Sequence, residues 1–301
     1  METTATLRRQ IELAEELRSV TSTMKSLAAV TVHQYERSVH ALHEYVRTVE
    51  LGLLVLVRER PELVAAPVRP DGSGRTLVVA FGSARGMCGP LNRHVANATV
   101  DLLDALAASG GPPATVMASG PRVAMELEAT GHEVAAVLEV PASADGIAAE
   151  VETTLVVIDE WRSAGGGGRV VLVHPRPQPG RRQYELVTVP LLPIGEHRLR
   201  DLAATPWPTN QLPSCWGDWP GVVSSLTRQL LFVGLHRAHA ETQVCIHRAR
   251  LAAMQGAEDS IDERLEELSG RYHRRRQAAI TSELLDVVSG YEAAGGPDSP
   301  P

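Results

Sequence analysis

Val223, Leu226, Leu230, Val233, Arg237, Ala240, Val244, His247, Leu251, Met254, Glu258, Ile261, Leu265, Leu268 and Tyr272 follow one another at alternating steps of three and four residues. That alternation is the seam of a coiled coil. Between Val222 and Ser289 there is no proline, and only Gly234, Gly256 and Gly270 interrupt the run. The spacing therefore predicts one continuous helix over 221–291. About seventy residues of helix would span roughly 105 Å at 1.5 Å per residue, longer than a compact domain of this size is wide. Such a helix is expected to project as a rod, and a rod with an apolar seam needs a partner.

The other end of the chain offers one. From Thr4 to Arg60 the sequence reads as a second helix, with Leu13, Leu17, Val20, Met24 and Leu27 stepping by four and three. The rhythm slips at Ala28 and Ala29, then resumes at Val32, Tyr35, Val39, Leu42, Val46, Val49, Leu53 and Leu56. A slip of this kind is expected to unwind the supercoil locally. Pro61 and the segment Pro67–Gly74 end the helix and supply a linker. Two heptad helices at opposite ends of one chain imply an intramolecular antiparallel coiled coil.

Between them the period changes. Thr76–Phe81 reads as a strand, followed by a glycine-rich turn and a helix over Leu91–Ala108. Strands are expected at Ala114–Ala118 and Val134–Val140, helices at Pro121–Thr130 and Ala144–Ser163, with Gly165–Gly168 as a break. Two further strands, Arg169–His174 and Gln183–Val189, should pair antiparallel through the Pro-rich turn Pro175–Gly180. The alternation implies an α/β unit with a largely parallel sheet. The expected fold is thus α/β: a long antiparallel coiled coil of the terminal helices with an inserted Rossmann-like domain. Its divisions are a helix over 1–61, the α/β domain over 75–195, a Pro/Trp-rich connection over 196–220, a helix over 221–291 and a disordered tail over 292–301. The connection carries Trp207, Trp216 and Trp219, which either pack the α/β unit against the coiled coil or mark a docking surface.

Composition narrows the function. A net charge of −7 and an aromatic content of 4% argue against nucleic-acid binding. Cys88, Cys215 and Cys245 lie far apart without metal-ligand spacing, which suits a reducing compartment. The N-terminal residues show neither a basic nor an apolar signal region. The longest apolar run, Leu51–Val57, is too short to span a bilayer, so no direct membrane insertion is expected.

The most enzyme-like stretch is Phe81-Gly-Ser-Ala-Arg-Gly-Met-Cys-Gly-Pro-Leu-Asn92, placed between a strand and a helix. The spacing of Gly82, Gly86 and Gly89 is not that of a dinucleotide fingerprint, and no Lys-Ser/Thr follows to make a phosphate loop. A tight structural turn is the simpler reading. Cys88 near His94 in sequence lacks a third orienting group for a nucleophile. His236 and His239 are an i, i+3 pair with no carboxylate or cysteine to complete a metal site. Together with His33, His40, His43 and His247 they are expected on solvated helix faces. Arg271, Arg274, Arg275 and Arg276 follow the acidic run Glu258–Glu267. Pairing within and between helices accounts for most of this cluster, and a partner with acidic loops is the sharper alternative. No catalytic residue, cofactor or metal site is assigned.

Four motifs, in order, carry a family resemblance. Near the end stands Ile280-Thr281-Ser282-Glu283-Leu284-Leu285-Asp286-Val287-Val288-Ser289-Gly290-Tyr291, preceded by Tyr272-His-Arg-Arg-Arg-Gln-Ala-Ala279. Arg250-Leu-Ala-Ala-Met254, the turn Ser83–Asn92 and Ser19-Val-Thr-Ser-Thr-Met-Lys-Ser-Leu-Ala-Ala29 complete the set. Along nearly its whole length the chain resembles the gamma subunits of F-type ATP synthases. Ala84 replaces that family's usual Asp in the turn, and Tyr291 replaces its closing Ala. Thr31 stands where Lys is usual, and Glu15 and Glu16 where amide or basic residues are usual. These departures are similar to those of the alternative, sodium-type F-type ATPases (N-ATPases), which leaves proton against sodium coupling open.

The resemblance implies a non-catalytic rotor. The terminal helices would form a shaft inside a ring of alpha and beta subunits. The α/β unit would face an epsilon-type subunit and the c-ring, at the cytoplasmic face of a bacterial membrane. It further implies that Met24 and Lys25 lie near moving acidic loops of the beta subunits, while Arg276, Gln277, Thr281 and Glu283 hydrogen-bond beta loops. The residues alone leave two other readings open: a free-standing α/β nucleotide-binding enzyme with a coiled-coil oligomerisation arm, and a coiled-coil adaptor.

Overall fold

Helix α1 spans Thr4–Glu59 and the last helix, α6, spans Trp219–Ala293. A computed structural model describes residues 3–60, 74–164, 168–178, 184–211 and 218–293. Neither helix has an internal proline beyond its first turn, so nothing removes a backbone donor from its interior. By contacts the chain forms two compact units, Met1–Leu27 with Ala252–Pro301, and Ala28–Leu251.

In the first unit, Arg18 Nε meets Asp262 Oδ1 at 2.7 Å and the Lys25 ammonium pairs with Glu258, so the two helices run antiparallel. In the second, Arg248 Nη2 reaches Glu36 Oε1 at 2.6 Å and Tyr45 bonds Gln229, with the same reversal of order. The coiled coil of the terminal helices is therefore present. Its inward line on α1 differs from the hydrophobic rhythm. Leu7, Thr21, Ala28, Tyr35, Leu42, Val49 and Leu56 are buried, and Ala14 is half-buried, so one stripe advances seven residues at a time without a slip. Leu13, Leu17, Val20 and Leu27 are off it, between 52% and 63% exposed. The expected seam over 13–27 and the slip at Ala28 and Ala29 are thus corrected. Small side chains, Ala14, Thr21 and Ala28, form the inward line here, and the larger ones point outward. On α6 the expected seam holds at Leu230, Val233, Ala240, Val244, Met254 and Leu268, all buried. Arg237 is exposed, its guanidinium turned to Glu241 (Nε–Oε1 2.7 Å).

The inserted domain runs β1 (Thr76–Phe81), α2 (Leu91–Ala108), β2 (Thr115–Ser119), α3 (Pro121–Ala129), β3 (Ala136–Leu138), α4 (Ile147–Ala164), β4 (Arg169–Pro177), β5 (Tyr184–Leu192) and α5 (Glu196–Ala204). The sheet order is β3-β2-β1-β4-β5, parallel except for β5, which pairs antiparallel with β4. Every residue of β1 is buried, as a parallel strand covered on both faces requires. One layer joins Leu77, Val79 and Phe81 to Ile147, Leu155 and Ile158 of α4, to Tyr35 of α1 and to Leu231, Leu235 and Val244 of α6. The opposite layer joins Val78 and Ala80 to Leu91 and Val95 of α2, Val123 and Leu127 of α3, and Cys245 and Ile246 of α6. A third cluster packs Leu42, Val49, Leu53 and Leu56 of α1 on Leu230 and Val233, with Trp219 and Leu202 at its margin.

Three local expectations change. The strand read over 134–140 is confined to Ala136–Leu138, and α4 starts at Ile147 instead of Ala144. The connection 196–220 contains α5, whose Glu-His-Arg-Leu-Arg-Asp-Leu-Ala-Ala is free of Gly and Pro and rich in helix formers; Pro206 lies just beyond its end. Trp219 packs in the third cluster with the Arg60 guanidinium 5.5 Å from its ring centre, whereas the Trp207 indole N–H bonds Thr209 and Gln211 of its own loop. Trp216, Cys215, 61–73, 165–167, 179–183 and the tail 294–301 lie outside the described residues.

The two readings of the coil separate in denaturant. Leu268→Ala, at a 2% exposed position, should lower stability by about 2–5 kcal/mol, the range for a core leucine. Leu17→Ala should shift it by no more than about 0.5 kcal/mol. Similar losses in both, measured by urea titration of the full chain, would restore the slipped seam.

Candidate functional site

The turn between β1 and α2 is where a doubly wound domain would bind phosphate. Here several of its polar groups bond to one another or to the neighbouring turn. The Gly82 N–H donates to the Ser119 carbonyl (2.8 Å), the Ser83 N–H to Asn92 Oδ1 (3.0 Å), and the Arg122 N–H to the Ser83 carbonyl (3.2 Å). Asn92 Nδ2 donates to Ser83 Oγ (2.9 Å) and approaches Cys88 Sγ (3.4 Å). A Cβ at Gly82 would lie 2.5 Å from Val123 Cβ, and one at Gly120 (φ +108°) 2.8 Å from the Ser83 carbonyl oxygen. The glycines let two strand-to-helix turns close on each other, which ties up the amides of Gly82 and Ser83 at the mouth of the turn. Cys88 is buried, and His94 shares a 2.8 Å hydrogen bond with the Tyr184 hydroxyl. No nucleophile–base pair forms.

Helix α6 contributes side chains to both layers of the sheet, Val244 to one and Cys245 and Ile246 to the other. It therefore passes across the carboxyl edge of the strands, and the Arg250 guanidinium lies 3.4 Å from the Gly86 carbonyl. Beside this crossing lies a buried polar cluster that sequence reading missed. Glu241 of α6 accepts from Arg237 Nε (2.7 Å) and from Arg176 Nε of β4 (3.2 Å), with His174 Nδ1 at 3.6 Å from its Oε2. His174 Nδ1 also lies 3.3 Å from the Pro175 carbonyl. Nothing in the sequence pairs β4 with α6; the available signal was a carboxylate inside the run Ala238–Ile246.

His236, His239 and His247 of α6 are not on solvated faces, which corrects that expectation. His239 is buried with its ring edge-on to Phe81 at 4.9 Å, and burial, aided by His236 and His174, lowers its pKa to about 3. Burial lowers His174 to about 4 against the pull of Glu241. His247 stacks on Tyr35 at 5.8 Å and is lowered to about 4, chiefly by burial and then by Arg250. His236 is half-buried and lowered by burial. His33 and His40 are exposed, as expected, and the His43 side chain lies outside the described set. Among the described residues no group of three or more His, Cys, Asp or Glu side chains could hold a metal. A groove of about 530 Å³ between α1, α4 and α6 is lined by Tyr45, Glu152, Arg228 and Phe232 among others. Two of its polar groups are engaged: Arg228 pairs with Asp159 (2.7 Å) and Tyr45 with Gln229.

The residues singled out by motif lie on the helix surfaces. Met24 and Lys25 are half-buried, and the Lys25 ammonium is engaged by Glu258. Arg276, Gln277, Thr281 and Glu283 are exposed, as is every residue from His273 to Tyr291. The structure does not bring the two groups together: from Glu258 to Arg276 the helix rises about 27 Å. The Thr281 hydroxyl donates to the Gln277 carbonyl (2.9 Å), which leaves its lone pairs open. Arg264 and Arg271 pair with Glu267, so intrahelical pairing covers part of the basic cluster. Around these residues Ile280, Leu284, Leu285, Val287, Val288 and Tyr291 are exposed apolar side chains.

A family model described as ATP synthase matches residues 3–294. The ATP synthase gamma chain of Salinibacter ruber is 26% identical over 302 aligned residues, covering 95% of this chain and 96% of the relative. That of Methylibium petroleiphilum is 26% identical over 292, covering 96% and 98%. Among solved structures, a chain of the Euglena gracilis mitochondrial ATP synthase (OSCP/F1/c-ring, rotational state 3) matches with a TM-score of 0.60 and 18% identity, over 99% of each chain. A chain of the Tetrahymena thermophila mitochondrial ATP synthase central stalk and c-ring matches with a TM-score of 0.56 and 14% identity, over 79% of this chain and 99% of that one.

The buried imidazoles set an acid limit. His174 and His239 stay neutral in the fold, with pKa values near about 4 and about 3, but gain protons near about 6.5 when unfolded. The unfolded chain then binds more protons below about 6.5, so stability is full above that pH and falls on acidification toward about 4. Each such histidine contributes up to about 1.4 kcal/mol per pH unit. Urea midpoints at pH 7 and pH 5 should differ in that direction, and His239→Gln should flatten the difference. An unchanged midpoint would mean that these imidazoles are solvated.

Proposed function

The chain belongs to the ATP synthase family, and on that premise we propose that it is the gamma-type subunit, the central-stalk rotor. In that role it couples ion flow through a c-ring to ATP synthesis or hydrolysis in an alpha/beta ring; the relatives named ATP synthase gamma chain support this reading. The observation that carries the reading is the far end of α6, where every residue from His273 to Tyr291 is exposed and six of them are large apolar side chains. A soluble monomer rarely leaves such a surface open; it fits enclosure by other subunits. The paired helices give that surface a stiff mount.

On this reading the chain is non-catalytic. The engaged Gly82 and Ser83 amides and the passage of α6 across the sheet edge argue against the nucleotide-binding alternative. Rotation presents a different face of the shaft to each beta subunit and biases its conformational equilibrium, a coupling carried by a rigid element. Arg276, Gln277, Thr281 and Glu283 are proposed to hydrogen-bond beta-subunit loops, with Met24 and Lys25 near a second set lower on the shaft. The domain division 1–61, 75–195, 196–220, 221–291 and 292–301 assigns the α/β domain to an epsilon-type subunit and the c-ring. No helix among the described residues is long and apolar enough to cross a membrane. We place such a subunit peripherally at the cytoplasmic face of a bacterial membrane, and the choice of proton or sodium rests with the membrane subunits.

Two measurements test this. The isolated chain should hydrolyse no ATP; turnover free of alpha and beta subunits would defeat the rotor reading. Arg276→Ala with Gln277→Ala should leave helix content and solubility intact, because both side chains are exposed. ATP turnover by the reconstituted complex should drop by about tenfold or more, since hydrogen bonds to charged groups are worth about 1.5–3 kcal/mol. Parental turnover in an assembled double variant would refute those contacts and spare the shaft assignment.

A further inference from the structure

We propose that Glu241 is a positioning residue that fixes the register of α6 on the sheet, so that torque received by the α/β domain passes to the shaft without slip. The proposal rests on the rotor reading above. Leu231, Leu235, Ala238, Ala240 and Val244 hold α6 to the domain through apolar contacts. Such contacts are non-directional and resist separation more than sliding. Glu241 differs. Its carboxylate, 3% exposed, accepts from Arg176 Nε of β4 at 3.2 Å and from Arg237 Nε of its own helix at 2.7 Å. Arg176 Nη1 continues to Glu185 of β5 at 3.8 Å, and the neutral ring of His174 closes the remaining side.

A buried charge stabilises a fold less than a well-packed apolar side chain of similar size, and it is tolerated only when fully paired. A leucine at 241 would join the surrounding core and permit many registers. Turning α6 by one residue rotates each side chain by about 100°. That motion strands the carboxylate among apolar neighbours and parts it from Arg176. Charge-assisted hydrogen bonds are both stronger and more directional than neutral ones, so this bond selects one register. Arg237, on the helix, neutralises the carboxylate without fixing its place on the sheet; Arg176, on the strand, fixes it.

The test uses the reconstituted ATPase in sealed vesicles, reading ATP hydrolysis and ATP-driven ion transport together, with hydrogen exchange on the free chain. Arg176→Gln removes the strand partner while leaving Glu241 its pair with Arg237, and Arg176→Lys keeps the charge. Arg176→Gln should speed exchange of α6 amides near 241 about tenfold or more, the loss of one bond to a charged group. It should also lower transport per ATP while hydrolysis persists, and Arg176→Lys should restore much of that ratio. Glu241→Gln should act in the same direction; if it does not fold, the Arg176 pair decides alone. Faster exchange with an unchanged transport-to-hydrolysis ratio would overturn the positioning role and leave the rotor reading standing. Parental complexes that hydrolyse ATP without any transport would overturn the rotor reading, and this inference with it.

Discussion

From Ala238 to Ile246 helix α6 is buried at every residue. A helix buried all round is usually apolar all round, yet this stretch carries His239, Glu241, Thr242 and Gln243. Thr242 Oγ1 and His239 Nε2 have no hydrogen-bond partner among the described residues; the ionisable groups need partners, or neutral forms. Arg176 and Arg237 do the first for Glu241, and burial does the second for His239 and His174. Because α6 feeds both layers of the sheet, the α/β domain cannot close its core without the helix. The shaft is thus built into the domain's interior, and the strand edge that binds ligands in other doubly wound folds is occupied by the chain itself.

That enclosure explains which parts of the fold could be read in advance. Strand β1 and helix α2 were delimited correctly because a continuous apolar run and an amphipathic helix flank a glycine turn, and each signal is local. The heptad seam of α6 was also local and held at Leu230, Val244 and Leu268. The seam of α1 misled for a physical reason. Hydrophobic periodicity records every apolar face, whether it meets the chain's own helix or another molecule. Leu13, Leu17, Val20 and Leu27 form such a face and are exposed, while the inward stripe there is carried by Ala14, Thr21 and Ala28, whose weak hydrophobicity hides it. The helix α5 was hidden by composition: prolines and tryptophans around it dominated the reading of 196–220.

The candidate site divides the same way. Arg276, Gln277, Thr281 and Glu283 were singled out by motif, and they are exposed. Glu241, His174 and Arg176 could not be found, since their meeting depends on how β4 lies against α6, a contact between residues 65 apart in sequence. Lys25 lies between these cases. It was singled out for an external partner, yet its ammonium already has Glu258. An external acidic loop would have to compete with that carboxylate or add to it.

The distribution of charge and apolar surface then separates two mechanical tasks along one helix. Near Glu241 the demand is to hold, and the helix is met on all sides by a sheet with a directional bond. Beyond Leu268 the demand is to turn against neighbours, and a directional bond to any fixed group would act as a brake. Apolar contact suits that end, because it is short-ranged and non-directional, so one face can be exchanged for another at little difference in free energy. Ile280, Leu284, Leu285, Val287 and Val288 supply it. Hydrogen-bonding groups are interspersed with them, Arg276, Gln277, Thr281 and Glu283 included. A rotor that met every subunit equally would bias none of them, and an uneven mixture of apolar and polar side chains around the helix differs from one face to the next. Rotation without that asymmetry would carry no information to the catalytic sites.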